Sequence, residues 1–466
     1  LALYRYDLAA VPALLSRTLF KTMPDVVVRP KSVEEVSSVL KYAALHRLPV
    51  TPRAAASTAY YNAVPTNGGI LLDLNGLRGI VSVDRERETV TVLAATRWKE
   101  LDDELRYKWG LAVKSYPTSA PASTIGGWFN MEGWGVGSLR YGCMHQQVLR
   151  AEAVLPGGEI VQLTPNSNPP LSWFAGSEGT LGVITSLEMS LRPAPEEESH
   201  HLSAFTDFAS LQEAAGRMAR LYPRAYHLHF ADDTFTRVVN RAGFETEAPP
   251  DHHLLSVHFE GTRAEVDAAE GSIADVCRET GGKELDREVA TQEWRNRFSE
   301  VRAKRAGPTL LGAEVWLPLG GLARYVESVK ELGHKAGIPI FTYGIVASPD
   351  GCQPNSFFTT DERRLWPYLT ALSVTKALQD RAARLGGRPY GVGVWNTPYL
   401  GRIWTSGDRR EMRRRKALLD PHGILNPGKV YTPPLLLRQP FFGLGMGALA
   451  LARRLSRVGE RARGAA

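Results

Sequence analysis

The stretches with the clearest chemical character are built from small residues. Gly176-Ser177-Glu178-Gly179-Thr180-Leu181-Gly182 holds three glycines in seven positions. Without a Cβ, the backbone there turns tightly and approaches a ligand closely. Val183-Ile184-Thr185-Ser186-Leu187-Glu188-Met189-Ser190-Leu191 follows with the alternation of a half-buried strand. Two more stretches share this character. One is Pro52-Arg53-Ala54-Ala55-Ala56-Ser57-Thr58, within the loop 52–65. The other, 116–142, holds Pro117, Thr118, Ser119, Ser123, Thr124, Ile125, Gly126, Gly127, Tyr141 and Gly142. One glycine loop marks only a turn; three such stretches in one chain point to a cradle for a ligand.

The elements that must position these loops are legible around them. Asp25–Pro30 reads as a short strand, and Ser32-Val33-Glu34-Glu35 as a capping box opening a helix to about Ala44. Pro49-Val50-Thr51-Pro52 is the strand that delivers the alanine loop. Gly69–Leu74, Ile80–Asp84 and Thr89–Leu93 read as further strands, Arg97–Trp109 as a helix, and 148–163 as a hairpin turning at Pro156-Gly157-Gly158. Beyond Pro193-Ala194-Pro195 the composition changes. Residues 200–400 alternate strands with helices such as 208–221 and 263–280, which suits an antiparallel sheet with helices on one face.

Bulk composition excludes several functions. A chain of 466 residues has room for two or three domains, and 43% hydrophobic with 23% charged residues is ordinary for a globular protein. Cys143, Cys277 and Cys352 lie far apart with no CxxC spacing, so a cysteine-ligated iron–sulfur cluster or zinc knuckle within this chain is excluded, and a reducing compartment fits. No GxGxxG follows a strand, so a nicotinamide cofactor is not expected. The opening LALYRYDLAAVPALL lacks the basic n-region and cleavage site of a signal peptide, and the expected location is cytoplasmic. Of the net charge of +7, residues 438–466 carry +5, with six arginines against one glutamate. The remainder is near neutral, and nucleic acid is not an expected partner.

The three small-residue stretches, with Leu419-Asp420-Pro421-His422-Gly423-Ile424-Leu425-Asn426-Pro427-Gly428-Lys429, resemble the FAD-linked oxidases related to vanillyl-alcohol oxidase, especially the D-lactate and glycolate dehydrogenase branch. The resemblance is carried by motifs over about 24–195 and 419–430, and is mostly architectural over 196–418. It implies an α+β fold: a two-subdomain FAD-binding domain at 1–195, a cap or substrate domain at 196–415, a return to the FAD domain at 416–436, and a basic amphipathic tail at 437–466. It implies FAD as cofactor. Residues 52–58 would form the pyrophosphate loop. Pro117, Thr118, Ser119, Ser123–Gly127, Tyr141 and Gly142 would line the isoalloxazine and pyrophosphate, and Glu178, Gly179, Gly182, Val183, Ile184 and Asn426 would complete the cradle. The chain departs from the family in carrying alanines where glycines are usual, and alanine resists positive φ. No histidine lies in 52–65, so the flavin is expected to be non-covalent.

Oxidising a 2-hydroxy acid requires a cation for the carboxylate and a base or metal for the hydroxyl proton. The branch takes base and metal ligands from a paired-histidine segment and a Glu-His-Gly motif. This chain has Phe341-Thr342-Tyr343-Gly344-Ile345-Val346 and Tyr390-Gly391-Val392-Gly393-Val394-Trp395-Asn396 in their places, so no metal is expected. Trp294-Arg295-Asn296-Arg297 resembles the family's Trp-x-x-Arg element, which implies a substrate-side role for Arg297. Glu314, Tyr343, Trp395 and Asn396 are the other candidates for a metal-free pocket, with a tyrosine as proton acceptor. His227 and His229 alternate on one strand and read as structural. Electrons would leave the flavin for oxygen, a quinone or, by analogy, an iron–sulfur partner. Two rivals remain: a flavoprotein electron-transfer subunit with a degenerate substrate site, and a non-redox flavoenzyme like alkylglycerone-phosphate synthase, suggested by Gly126-Gly127-Trp128. The tail's apolar 440–452 followed by Arg453-Arg454 suits a membrane surface or a partner groove.

Overall fold

The computed structural model describes residues 1–9, 11, 19–243 and 248–464, so part of the N-terminal stretch read for a signal peptide lies outside the described residues. The chain divides into two compact units, Leu1–Pro195 with Gly391–Pro434, and Glu196–Tyr390 with Leu435–Ala466.

In the first unit, β1 (Val26–Val28), β2 (Val50–Arg53) and β3 (Ile70–Asp73) form a parallel sheet in the order β1-β3-β2. α1 (Val33–His46) connects β1 to β2. Ser32 Oγ accepts the Glu35 N–H at its start, and Arg47 ends it in the left-handed region at φ 51°. Val36, Leu40 and Ala43 of α1 pack with Val50, Ile70 and Leu72 in one apolar core. A second sheet is antiparallel: β4 (Ile80–Asp84), β5 (Thr89–Leu93), β9 (Val183–Pro193), β7 (Val148–Val154) and β8 (Ile160–Leu163), with β6 (Leu111–Val113) pairing with β9. α2 (Trp98–Trp109) and α3 (Ile125–Asn130) are among the helices of this unit.

The return segment joins the parallel sheet directly. Val50 N–H donates to Ile424 O (2.8 Å) and Asn426 N–H to Val50 O (2.7 Å). The return starts at Gly391, not at 416 as the sequence suggested, because the 391–396 turn is hydrogen-bonded to the glycine loop of this unit.

The second unit is one eight-stranded antiparallel sheet. Its strands are β10 (Glu197–Phe205), β11 (His227–Ala231), β12 (His253–Gly261), β13 (Lys283–Glu284), β14 (Thr309–Pro318), β15 (Phe341–Ser348), β16 (Gly351–Thr360) and β17 (Arg388–Pro389), in the order β13-β10-β12-β11-β15-β16-β14-β17. Its helices are α4 (Phe208–Met218), α5 (Asp233–Arg241), α6 (Arg263–Glu279), α7 (Arg287–Arg295), α8 (Leu322–Ala336) and α9 (Leu365–Arg384). The longer helices α4, α6, α8 and α9 pack side by side against the sheet. Short α5 and α7 pack through Phe235, Val239 and Ala290 onto Leu202, Ala204, Ala231, Leu254 and Tyr343. Asp232 sets α5 in place, one carboxylate oxygen accepting the Phe235 N–H (2.8 Å) and the other the Thr342 N–H of β15 (3.0 Å). The tail also belongs here. It forms α10 (Phe441–Gly464), which packs along α9 and whose Arg453 donates to Ala336 O (3.2 Å). No helix among the described residues is long and apolar enough to cross a membrane.

Candidate cofactor cradle and candidate substrate cavity

The loop after β2 has the form of an anion nest. The amides of Ala55, Ala56 and Ser57 donate no hydrogen bond among the described residues, and Ala56 sits at φ 52°. Successive unpaired N–H groups with a left-handed residue make a concave donor surface suited to phosphate. Ala56 therefore adopts the conformation that alanine resists, at a cost of roughly 1 kcal/mol. Arg53 is committed elsewhere, donating to Tyr6 O (2.8 Å) and Ala63 O (3.1 Å), and so braces the loop.

In 116–142 the nominated residues divide. The amides of Ile125 and Gly126 are already bonded to Thr96 O (3.0 Å) and Ala94 O (2.8 Å), and a Cβ on Gly126 would stand 2.7 Å from Ala94 Cβ. These two serve the packing of α3 onto the sheet. Ser123 Oγ closes a turn onto Ser119 O (3.0 Å), and Gly142 takes φ 78°. Pro117, Thr118, Thr124, Gly127 and Tyr141 belong to the same stretch of sequence.

The 176–182 loop is organised by Asn130, which sequence reasoning passed over. Its Oδ1 accepts the Gly179 N–H (3.0 Å) and its backbone carbonyl the Glu178 N–H (3.0 Å). Glu178 is buried at φ 52°, and its carboxylate accepts the amides of Val392 (2.9 Å) and Gly393 (2.7 Å). Burial pushes its carboxyl above the ordinary range, while those amides and Lys429 pull it down. Asn426 Nδ2 donates to Glu178 O (2.7 Å), and Lys429 Nζ donates to Val64 O (2.7 Å) and Asn426 Oδ1 (2.5 Å). Burial draws the Lys429 ammonium down to about 7, against Asp7 and Glu178. Gly179 sits at φ 67°, where a side chain is strained, and a Cβ there would stand 3.0 Å from Pro52 Cγ. Thus 52–58, 176–184 and Asn426 converge, and the free amides between them fit a pyrophosphate.

The candidate catalytic residues are divided between the two units. Trp395 and Asn396 lie in the first unit; Asn396 closes its own turn onto Gly391 O (2.7 Å), and the Trp395 ring lies 6.0 Å from that of Tyr61. In the second unit Glu314 is half-buried opposite Asn355, which in turn stands opposite Tyr343. Tyr343 is buried among aromatics, 4.8 Å from the Phe235 ring.

Arg297 has different company. Register aligns His200, His258 and His227 across β10, β12 and β11, with His229 beside Ser256 and Ile345 in the next row. Trp294, at the end of α7, stacks on His258 at 3.7 Å with planes 12° apart. The Arg297 guanidinium lies over Trp294 (4.0 Å) and Phe298 (4.3 Å), and donates to Trp294 O (2.9 Å). Beneath it a cavity of about 40 Å³ is lined by His227, His229, Ser256, Glu293, Trp294 and Arg297, with an apolar wall including Leu202, Phe235 and Leu254. His227 is 3% exposed, and its Nδ1 has no hydrogen-bond partner among the described residues. Burial, with His229, His258 and Arg297 nearby, holds its pKa well below the ordinary value. Sequence reasoning nominated Arg297 but not this setting. The signal for it was the i, i+2 spacing of His227 and His229; their cross-strand neighbours follow only from register. His200 and His258 are joined Nδ1 to Nδ1 at 2.8 Å, and Glu198 lies close to both.

Two sequence families match this chain: "FAD binding domain" over residues 24–164, and "FAD linked oxidases, C-terminal domain" over 194–430, just over half of the chain. Among relatives, the glycolate oxidase subunit GlcD of Bacillus subtilis is 27% identical over 433 residues, covering 88% of this chain and 90% of that one. A D-lactate dehydrogenase of Archaeoglobus fulgidus is 29% identical over 444 residues, covering 92% and 95%. Among solved structures, substrate-bound p-cresol methylhydroxylase superposes with a TM-score of 0.78 at 19% identity, covering 92% of each chain. An alkyldihydroxyacetonephosphate synthase does so with 0.72 at 20%, covering 86% of this chain and 76% of that one. At these identities the superpositions show the fold.

Two substitutions test the cradle. Ala56→Gly is expected to stabilise the protein by roughly 1 kcal/mol in denaturant unfolding, with FAD content kept; a destabilised variant would contradict the strain assigned to Ala56. Glu178→Ala strands two buried amides, and should cost on the order of 3 kcal/mol together with most of the bound FAD. Full FAD occupancy in that variant would remove Glu178 from the account.

Proposed function

The chain belongs to the FAD-linked oxidases, and from that premise we propose that it oxidises a short 2-hydroxy acid of the D-lactate or glycolate class, passing electrons on to an iron–sulfur protein or a quinone. The observation that carries the reading is the cavity that gathers Arg297, His227 and His229. A 2-hydroxy acid presents a carboxylate and a hydroxyl on adjacent carbons. The planar guanidinium of Arg297 offers the carboxylate paired donors, and its place over Trp294 and Phe298 restrains that fork in advance. His227, held neutral by its surroundings, accepts the hydroxyl proton at Nδ1. Leu202, Phe235 and Leu254 shield the carbon chain from water. When bound, FAD would supply the hydride acceptor, and the amides of Ala55, Ala56 and Ser57 would hold its pyrophosphate without a covalent link. Tyr343, nominated as proton acceptor, takes a packing role in this reading.

The second reading is an electron-transfer subunit with a degenerate substrate site. It is favoured by Ile345, an apolar residue standing in register beside His229 within the segment that replaced the family's paired histidines.

Arg297→Ala should raise KM for the acid at least about tenfold, because it removes binding shared by ground and transition states; an unchanged KM contradicts the carboxylate role. For pH the sign follows from a depressed base. Folded His227 binds fewer protons than in the unfolded chain, so its contribution destabilises progressively as pH falls below about 6.5. By the same depression, the acidic limb of kcat/KM, where His227 takes up a proton, should lie below that value and disappear in His227→Gln. A limb at or above 6.5, or one retained in the variant, would assign the proton elsewhere. Acid precipitation should release the flavin into solution and leave a colourless pellet; a yellow pellet would mean a covalent link.

A further inference from the structure

The tail forms a helix with two different apolar sides. One packs along α9; the other faces outward with nothing on it among the described residues. The outward residues are Phe441, Leu444, Ala448, Leu451 and Leu455, spaced three, four, three and four apart, so they fall in one row along the helix. Phe441 is 49% exposed, Leu444 70%, Leu451 58% and Leu455 64%. At 1.5 Å per residue the row runs about 21 Å. Exposed Arg454 sits beside its end. From 438 onward the chain carries six arginines against one glutamate, although the side chains of 456–466 lie outside the described residues.

We propose that α10 docks this protein on the surface of a bilayer containing anionic lipid, with the Phe441–Leu455 row dipping into the acyl boundary and the arginines meeting the headgroups. The proposal goes beyond the catalytic reading and does not depend on it. Three facts choose this occupant. The helix is not long and apolar enough to cross, so it lies in the plane. A second copy packed parallel would bring two strongly basic segments together, where like charges repel, and an antiparallel pair would leave the arginines without an anionic partner. An apolar row that ends at a cluster of arginines matches the two layers of an anionic interface.

The test uses the full, FAD-loaded protein in flotation with vesicles of phosphatidylcholine alone or mixed with phosphatidylglycerol. Binding to the mixed vesicles, weakened by salt, is expected. The double variant Leu444→Glu/Leu451→Glu should lose at least about tenfold in partition while keeping its FAD absorbance and its far-ultraviolet circular dichroism, which together report that both units are folded. Arg454→Glu should weaken binding to mixed vesicles without changing FAD content. The proposal is overturned if the wild type stays with the soluble fraction in mixed vesicles, or if the double variant floats as well as the wild type. It is also overturned if light scattering shows a dimer that the double variant abolishes, or if the row is instead protected by an acidic protein while vesicles are ignored.

Discussion

The buried carboxylate of Glu178 closes the first unit. It sits in a glycine loop at a backbone angle that glycine would adopt more easily, and it accepts the amides of Val392 and Gly393, more than two hundred residues later in the chain. The backbone carbonyl of the same residue takes Asn426, which in turn holds Lys429. Burying an unpaired carboxylate would cost several kcal/mol, so the two amides and the nearby ammonium are what make the position tenable. Through these bonds the return segment fastens the glycine loop against the alanine loop. The amides left over at Ala55, Ala56 and Ser57 can then face a ligand together.

That arrangement also explains what the sequence made legible. Local signals carried the strands, the Ser32 cap, the alanine loop and the glycine loop, because each depends on neighbours within a few residues. The Asn426-Pro427-Gly428 turn was legible as a return, but its starting point was not. Gly391 belongs with the first unit only because Glu178 reaches its neighbours, and no composition change marks that contact. Similarly, the glycines of 116–142 suggested a ligand, whereas Gly126 is small because Ala94 leaves no room for a side chain. Sequence spacing cannot separate a glycine that admits a ligand from one that admits a neighbouring strand.

The second unit teaches the same lesson through register. The i, i+2 pair His227 and His229 read as structural, since either could sit on a solvated or a packed face. Cross-strand pairing places His258 and His200 alongside, and Trp294 from a separate helix closes over them with Arg297 stacked above. Conversely, Tyr343 looked chemical because it replaced a family ligand, yet it lies among Phe235, Phe341 and Phe357. A polar cavity within an apolar sheet face gives the second unit its chemical interest, and only pairing across four strands reveals it.

With this cradle and this cavity, the chain is proposed to move electrons from a 2-hydroxy acid to its flavin. The most direct measurement is the visible absorbance of the purified holoprotein, mixed without oxygen with D-lactate, glycolate or a related 2-hydroxy acid. The account predicts that at least one of these acids bleaches the flavin band. A band unmoved by every acid in the series, in a protein that dithionite still reduces, would contradict it.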